Sequence, residues 1–396
     1  MADSFNRTSR GSSLQDVMCA SEKLAGGRLT IDRDAIAANW SLLKGLLKPG
    51  TACAATIKAD AYGTGTTSTA QRLWAAGCTT FFVALPEEGA LVRSALPDAT
   101  VYVLGGLFSG AATDLAAGNL IPVLNCIAEV QEWADFCKGE NRAFPAALQL
   151  NTGMNRLGMD PDEFADVMAQ KDLTGSFDIA LLMTHLACGS DPEAPLNRQQ
   201  LNTFIAATQP FDHLPRSMAN SAGVFLGPDY HFDLARPGIS LYGGKALDTA
   251  ANVMNPVAMV EARVMQLRHV PKGQTIGYGG AETVTRDSKV ALVAAGYADG
   301  LHRRAGSSDD RPGGFGVIGN HKVPLIGRVS MDMIALDVTD VPDDAVARGS
   351  FVEMLGPNVA ASDLAAYAET IDYEYLTGLG RRYYRRYAAL PAPQER

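Results

Sequence analysis

From Arg28 to about Ala250 the chain alternates short apolar runs with longer amphipathic stretches. The runs are Ala52–Ile57, Phe81–Leu85, Val101–Leu104, Ile121–Leu124, Ala146–Leu150 and Ile179–Met183, with two weaker ones at Met218–Ala219 and Phe232–Leu234. Between them, stretches such as Thr66–Ala76 and Asp162–Gln170 carry helical spacing. A strand that is apolar throughout, rather than alternating, is buried on both faces, and such strands separated by helices are parallel βαβ units. Eight of them predict an α/β fold whose first part, residues 28–251, is a closed (β/α)8 TIM-like barrel rather than an open sheet.

The pattern changes after Ala251. Met259–Leu267, Lys289–Ala295, Val323–Ile326 and Met333–Val338 read as strands joined by Gly, Pro and Asp turns, so residues 252–396 form a separate, mainly β C-terminal domain. Helical spacing returns at Ala360–Thr370, and Ile371–Tyr387 is rich in Tyr and Arg. A Gly-x-Gly-x-x-Gly match, Gly314 to Gly319, is followed by Asn320 and a β-like stretch where a dinucleotide site needs a helix. It is read as a hairpin turn.

Composition narrows the function classes. The chain has 396 residues, 47% hydrophobic and 19% charged, which suits globular domains with a large core. Its net charge, 34 − 43 = −9, argues against electrostatic binding to nucleic acid or an anionic membrane. Charge-free runs stop at about fifteen residues, short of the roughly twenty a membrane helix needs. Residues 1–27 are polar and read as a leader on a cytoplasmic protein. Cys19, Cys53, Cys78, Cys126, Cys137 and Cys188 form no Cys-x-x-Cys pair, and the six histidines show no metal spacing, so neither a disulfide framework nor a metal site is expected.

The most informative segment is Thr51–Gly65, with Lys58-Ala-Asp-Ala-Tyr62-Gly at the exit of the first strand. That end of a barrel strand is the catalytic face. A lysine there can be a strand-end cation reaching solvent. It can equally be a desolvated amine of lowered pKa that forms an imine with an aldehyde cofactor. Gly63-Thr64-Gly65 leads into a helix, a turn that suits an anion.

Further motifs break this tie. Lys58-Ala-Asp-Ala-Tyr62-Gly resembles the cofactor-lysine motif of the alanine racemases, enzymes that use pyridoxal 5′-phosphate (PLP). In the same order come Thr152-Gly-Met-Asn-Arg156-Leu-Gly, Thr184-His185, Ala219-Asn220-Ser221-Ala222 and Ala235-Arg236-Pro-Gly238-Ile239-Ser-Leu-Tyr242-Gly. The β-rich part continues with Ile276-Gly-Tyr278-Gly, Gly296-Tyr297-Ala-Asp299-Gly, Gly327-Arg328-Val-Ser-Met331-Asp332 and Ile371-Asp-Tyr373-Glu.

The resemblance implies a PLP barrel followed by a β domain, and it implies roles. Lys58 would hold PLP as an imine and, once the substrate amine displaces it, act as base on one face of the substrate Cα. Tyr278 matches the base on the opposite face. A free tyrosine has a pKa of about 10, so that role asks for cationic or hydrogen-bonding neighbours, and the resemblance supplies a chain from Tyr278 through His185 to Arg236. Arg236 matches the partner of the pyridine nitrogen; as a pure donor it leaves that nitrogen neutral, which favours proton exchange over transamination. Tyr62, Ser221, Gly238, Ile239 and Tyr373 match phosphate ligands, Asn220 shares their loop, and Leu104 matches an apolar wall. Arg156, Met331 and Asp332 match the substrate side.

The implied enzyme interconverts L- and D-alanine, supplies D-alanine for peptidoglycan, and works as a homodimer whose Tyr278 reaches the partner's site. The alternatives are a racemase of another small amino acid such as serine, a PLP-barrel decarboxylase, which Arg236 disfavours, and a non-catalytic PLP carrier, which the long β domain disfavours. One departure stands out. Many family members have a carbamylated lysine seven residues before the arginine matching Arg156, and this chain has Gln149 there, with Asn151 nearby. Glutamine supplies no countercharge. A half-buried Arg156 is therefore expected to recruit a small anion, chloride, beside Gln149.

Overall fold

The computed structural model describes residues 21–393 and divides into two compact units, Asp32–Val257 on one hand and the segment up to Ile31 with Ala258 onward on the other. Most of the expected leader, residues 1–20, lies outside the described residues. Glu22–Leu24 is a single 3-10 turn, and Gly27 already starts a strand.

In Asp32–Val257 eight parallel strands follow the predicted runs. They are Ala52–Cys53 continued by Ala55–Thr56, then Thr80–Val83, Thr100–Val103, Ile121–Leu124, Pro145–Gln149, Asp178–Met183, Arg216–Ser217 and Leu234–Ala235. Each of the first six pairs in parallel with the next, as far as Arg216–Ser217, and the eighth pairs in parallel with the first. Between the seventh and eighth, Asp233 N donates to Arg216 O at 3.0 Å and Arg236 N to Ala219 O at 2.8 Å, which closes the barrel. Its interior is a packed layer in which Ala54 and Ala147 make room for Phe82, Tyr102, Val123, Leu181, Met183 and Leu234. Helices cover the outer face, so the strands are buried twice over; this is the physical origin of their unbroken apolar runs. The last two strands are shifted by about two residues from the expected ones, because they are two residues long and offer almost no pattern.

The other unit is built on the long strand Ala258–Val270. Its first half pairs antiparallel with Gly27–Ile31 and Phe351–Leu355, its second half with Ser288–Val293, and the latter with Ile334–Asp337. Phe315–Ile318 and His321–Pro324 form a hairpin, so the glycine match at Gly314–Gly319 is the turn read from the sequence. Arg28–Ile31, read as the start of the barrel segment, belongs to this sheet instead. Gly27–Ile31 also runs parallel to Tyr384–Tyr387. Arg28 lies opposite Glu261 in the register and forms a two-pronged ion pair with it, a cross-strand contact between residues 233 positions apart that local pattern cannot reveal. Among the described residues no helix is long and apolar enough to cross a membrane.

Candidate active site

Every barrel strand delivers its C-terminal end to one rim, and Lys58 leaves the first strand there. Ile57 is fully buried and its N–H donates to Phe82 O at 2.9 Å, which fixes where the lysine emerges. The chain then makes a left-handed helical turn through Ala59, Asp60, Ala61 and Tyr62, with φ of 53°, 54°, 51° and 53°. Left-handed backbone costs a residue with a Cβ roughly 1–2 kcal/mol, so four in succession persist only if their surroundings hold them. Ala61 N donates to Ile57 O at 3.1 Å, Gly63 N to Ala59 O at 3.0 Å and Gly65 N to Asp60 O at 2.9 Å. The Asp60 carboxylate accepts Thr66 N at 3.0 Å, and the Glu88 carboxylate accepts Ala59 N at 2.6 Å. The turn's result is to bury Tyr62, whose ring stacks on Tyr242 at 4.5 Å, while the Tyr242 hydroxyl donates to Thr56 O at 3.0 Å. Burial lowers the Lys58 pKa, Arg156 lowers it further, and Glu88 opposes both.

Arg236 leaves the eighth strand and is only 4% exposed. Its guanidinium donates to Ser217 Oγ and to Thr184 O, the latter at 2.7 Å, and lies 5.7 Å from the centre of the Phe82 ring. All of these partners are neutral. Burial pushes the guanidinium down to about 9, still cationic at neutral pH. His185 follows the sixth strand, and Gln200 pins its carbonyl at 2.9 Å. Burial first, then the charges of Arg236, Arg156 and Lys58, push its imidazole down to about 3. Among the described residues Arg236 bonds Ser217 and Thr184, and its influence on His185 is through space.

Ser221, Gly238 and Ile239 meet on the same rim. Ser221 Oγ accepts Gly238 N at 2.9 Å and Ser240 N at 3.3 Å, and the buried Ser240 Oγ has no partner. Gly238 has to be glycine, since a Cβ there would sit 2.4 Å from Tyr62 Oη. Asn220 caps the helix Ser221–Phe225 by accepting Gly223 N at 3.0 Å. Leu104 packs on the barrel's inner layer. Gln149 is buried and its amide donates to Leu157 O at 3.2 Å, while Asn151 donates to Asp160 at 2.7 Å. Arg156 is exposed, not half-buried as expected, so solvent already relieves its charge.

The remaining candidates lie on the β unit. Tyr278 opens the 3-10 turn Tyr278–Gly280 and is 72% exposed, with the Arg328 guanidinium packed against the neighbouring Gly279. Met331 is exposed, Asp332 pairs with Arg382 at 2.7 Å, and Tyr373 sits on the helix Asp372–Thr377.

Residues 31–246 match the family model for the alanine racemase N-terminal domain, and residues 257–387 the model for its C-terminal domain. The chain belongs to the alanine racemase family. It is 43% identical over 370 residues to an alanine racemase of Rhodospirillum rubrum, covering 93% of this chain and 98% of that one. It is 44% identical to an alanine racemase of Rhizobium meliloti, covering 92% and 97%. Among solved structures, alanine racemase from Bartonella henselae with covalently bound pyridoxal phosphate superposes with a TM-score of 0.87 at 36% identity, covering 92% of this chain and all of that one. Against this alanine racemase frame, sequence reading missed Glu88, Ser217 and Gln200. Glu88 carried a weak signal, three residues after Leu85 in a helix-start pattern; the other two carried none, because their partners are backbone or distant in sequence.

Proposed function

We propose that this protein is a PLP-dependent alanine racemase, a homodimeric cytoplasmic enzyme that interconverts L- and D-alanine and supplies D-alanine for peptidoglycan. The observation that carries the reading is a desolvated lysine on the same barrel rim as a buried arginine with neutral partners. The rim suits the cofactor: an amine of lowered pKa for its aldehyde, an unpartnered buried Ser240 hydroxyl beside the Ser221 and Gly238 donors for its phosphate, and Arg236 as donor to its ring nitrogen. Bound there, PLP supplies an electron sink for the pair of electrons left when the substrate Cα loses its proton.

Lys58 would hold the cofactor, and its freed amine takes or returns the Cα proton on one face. Tyr278 serves the opposite face, because a single base returning its proton to the same side regenerates the starting enantiomer. Its phenol is exposed on the β unit, which supports a role toward the partner subunit's site. His185, kept neutral, can offer one ring nitrogen as donor and the other as acceptor rather than hold a fixed charge. Tyr62, Ser221, Gly238, Ile239 and Tyr373 would hold the phosphate, with Asn220 shaping that loop and Leu104 walling the ring. Arg156, Met331 and Asp332 would face the substrate. A chloride beside Gln149 and Arg156 remains part of this reading, though Arg156 needs it less than a buried cation would.

The test is to incubate the purified protein with PLP and a panel of L-amino acids and resolve the enantiomers formed. D-Alanine as the main product is expected, and a faster D-serine signal would reassign the substrate. Mixing inactive Lys58→Ala and Tyr278→Phe proteins should restore part of the activity through mixed dimers. No recovery despite subunit exchange would confine each site to one chain.

A further inference from the structure

We propose that Glu88 is a positioning residue that clamps the left-handed turn behind Lys58 and, from that place, favours the charged form of its amine, an inference that rests on the racemase reading of that lysine. Glu88 stands in the first turn of the helix Pro86–Ala95, after the second barrel strand. One carboxylate oxygen does ordinary work there, accepting Ala84 N at 2.7 Å and Leu85 N at 3.1 Å in a capping arrangement. That leaves the other oxygen, which reaches across to the first strand's exit and accepts Ala59 N at 2.6 Å. Ala59 is the residue directly after Lys58 and the first of four left-handed ones. A helix cap needs only the first oxygen. The second one ties the helix to the one backbone amide that decides where the lysine turns.

The same carboxylate acts on charge. The charges acting on Lys58 are those of Arg156, from the loop after the fifth strand, and Glu88; His185, from the end of the sixth, is influenced by Lys58 in turn, and Asp60 lies on its own turn, engaged with Thr66. Of these groups Arg156 favours the neutral amine and Glu88 the protonated one, with His185 neutral. Glu88 thus offsets part of the lowering that burial and Arg156 impose. Its carboxylate keeps the amine basic enough to take a proton from carbon, while the clamp keeps it aimed at the rim.

The experiment compares the wild type with Glu88→Gln and Glu88→Asp. In the apoprotein, brief acetic anhydride labelling from pH 6 to 9.5, read at the Lys58 peptide by mass spectrometry, gives the titration of that amine. Removing the negative charge lowers the Lys58 pKa, so the Gln variant is expected to label about three- to tenfold faster at pH 7. The Asp variant keeps the charge and should fall between the two. In the loaded enzyme the Gln variant should lose kcat more than it changes KM, with its pH profile moved to the acid side. If Glu88 serves the helix cap alone, both variants melt lower and the Lys58 titration stays where it is, which overturns the proposal. Borohydride trapping of PLP in the wild type separates the two ideas: no label on Lys58 removes the cofactor reading, whereas a label with unchanged titration in Glu88→Gln removes only the clamp.

Discussion

Arg236 in the barrel and Arg382 in the β unit are both anchored by several hydrogen bonds, but in surroundings of opposite charge. Arg236 donates to a hydroxyl and a carbonyl, and burial alone pulls its pKa down. Arg382 donates twice to Asp299, both at 2.7 Å, and once to Asp332, and these carboxylates hold it above the usual arginine range. Asp299 is buried and also accepts Gly296 N at 2.9 Å, so the pair locks together the loops carrying Tyr297 and Met331 and the approach to the strand Tyr384–Tyr387. A cation among neutral groups is poorly placed for stability and well placed to donate to a reacting ligand. A cation between two carboxylates is a fastener. The barrel rim and the β sheet use the same side chain for these two ends.

Substitutions to methionine break the comparison most sharply. Arg236→Met is expected to lower kcat/KM about 10²- to 10³-fold, the range for losing one preorganised donor, while the apoprotein's unfolding free energy stays level or rises by about 1–2 kcal/mol. A clear loss of apoprotein stability in urea unfolding would show that Arg236 is a structural residue after all. Arg382→Met should do the reverse: it strands the buried Asp299 charge, lowering stability by about 2–3 kcal/mol, with much of that recovered in the Arg382→Met, Asp299→Asn double variant.

The next effect is smaller and concerns pH. His185 has a folded pKa depressed to about 3, so between pH 6.5 and 5 the unfolded chain binds a proton that the folded one refuses. Its contribution to stability is complete above about pH 6.5 and is lost as pH falls toward the folded value. Relative to His185→Asn, the wild type should lose about 1–2 kcal/mol across that window, and parallel stability profiles for the two proteins would contradict it. The smallest effect is expected at Gln149. Replacing chloride with a bulky anion at constant ionic strength should change kcat/KM by less than about threefold, since Arg156 is exposed and already screened. A tenfold loss would mean the anion holds Arg156 in the assembled enzyme.

The barrel was legible because burial on two faces writes continuous apolar runs into the chain, and the helices between them fix the connection type. The site was legible where one short segment does several jobs, as at Lys58–Tyr62 and Arg236–Ile239. Glu88 was not, because its contact with Ala59 spans 29 residues and the residue reads locally as a helix start. Arg28 was misplaced for the same reason: its partner Glu261 is adjacent only once the sheet forms.

The sequence by itself determined the two-part plan, the eight strands and the family, since these follow from local periodicity and from motifs whose order survives without coordinates. Only the tertiary structure decided that Gly27–Ile31 joins the β sheet, that four residues after Lys58 turn left-handed under the hold of Glu88, and which arginines are paired. Pairing, desolvation and backbone strain depend on which groups share a volume, and no spacing along the chain encodes that volume.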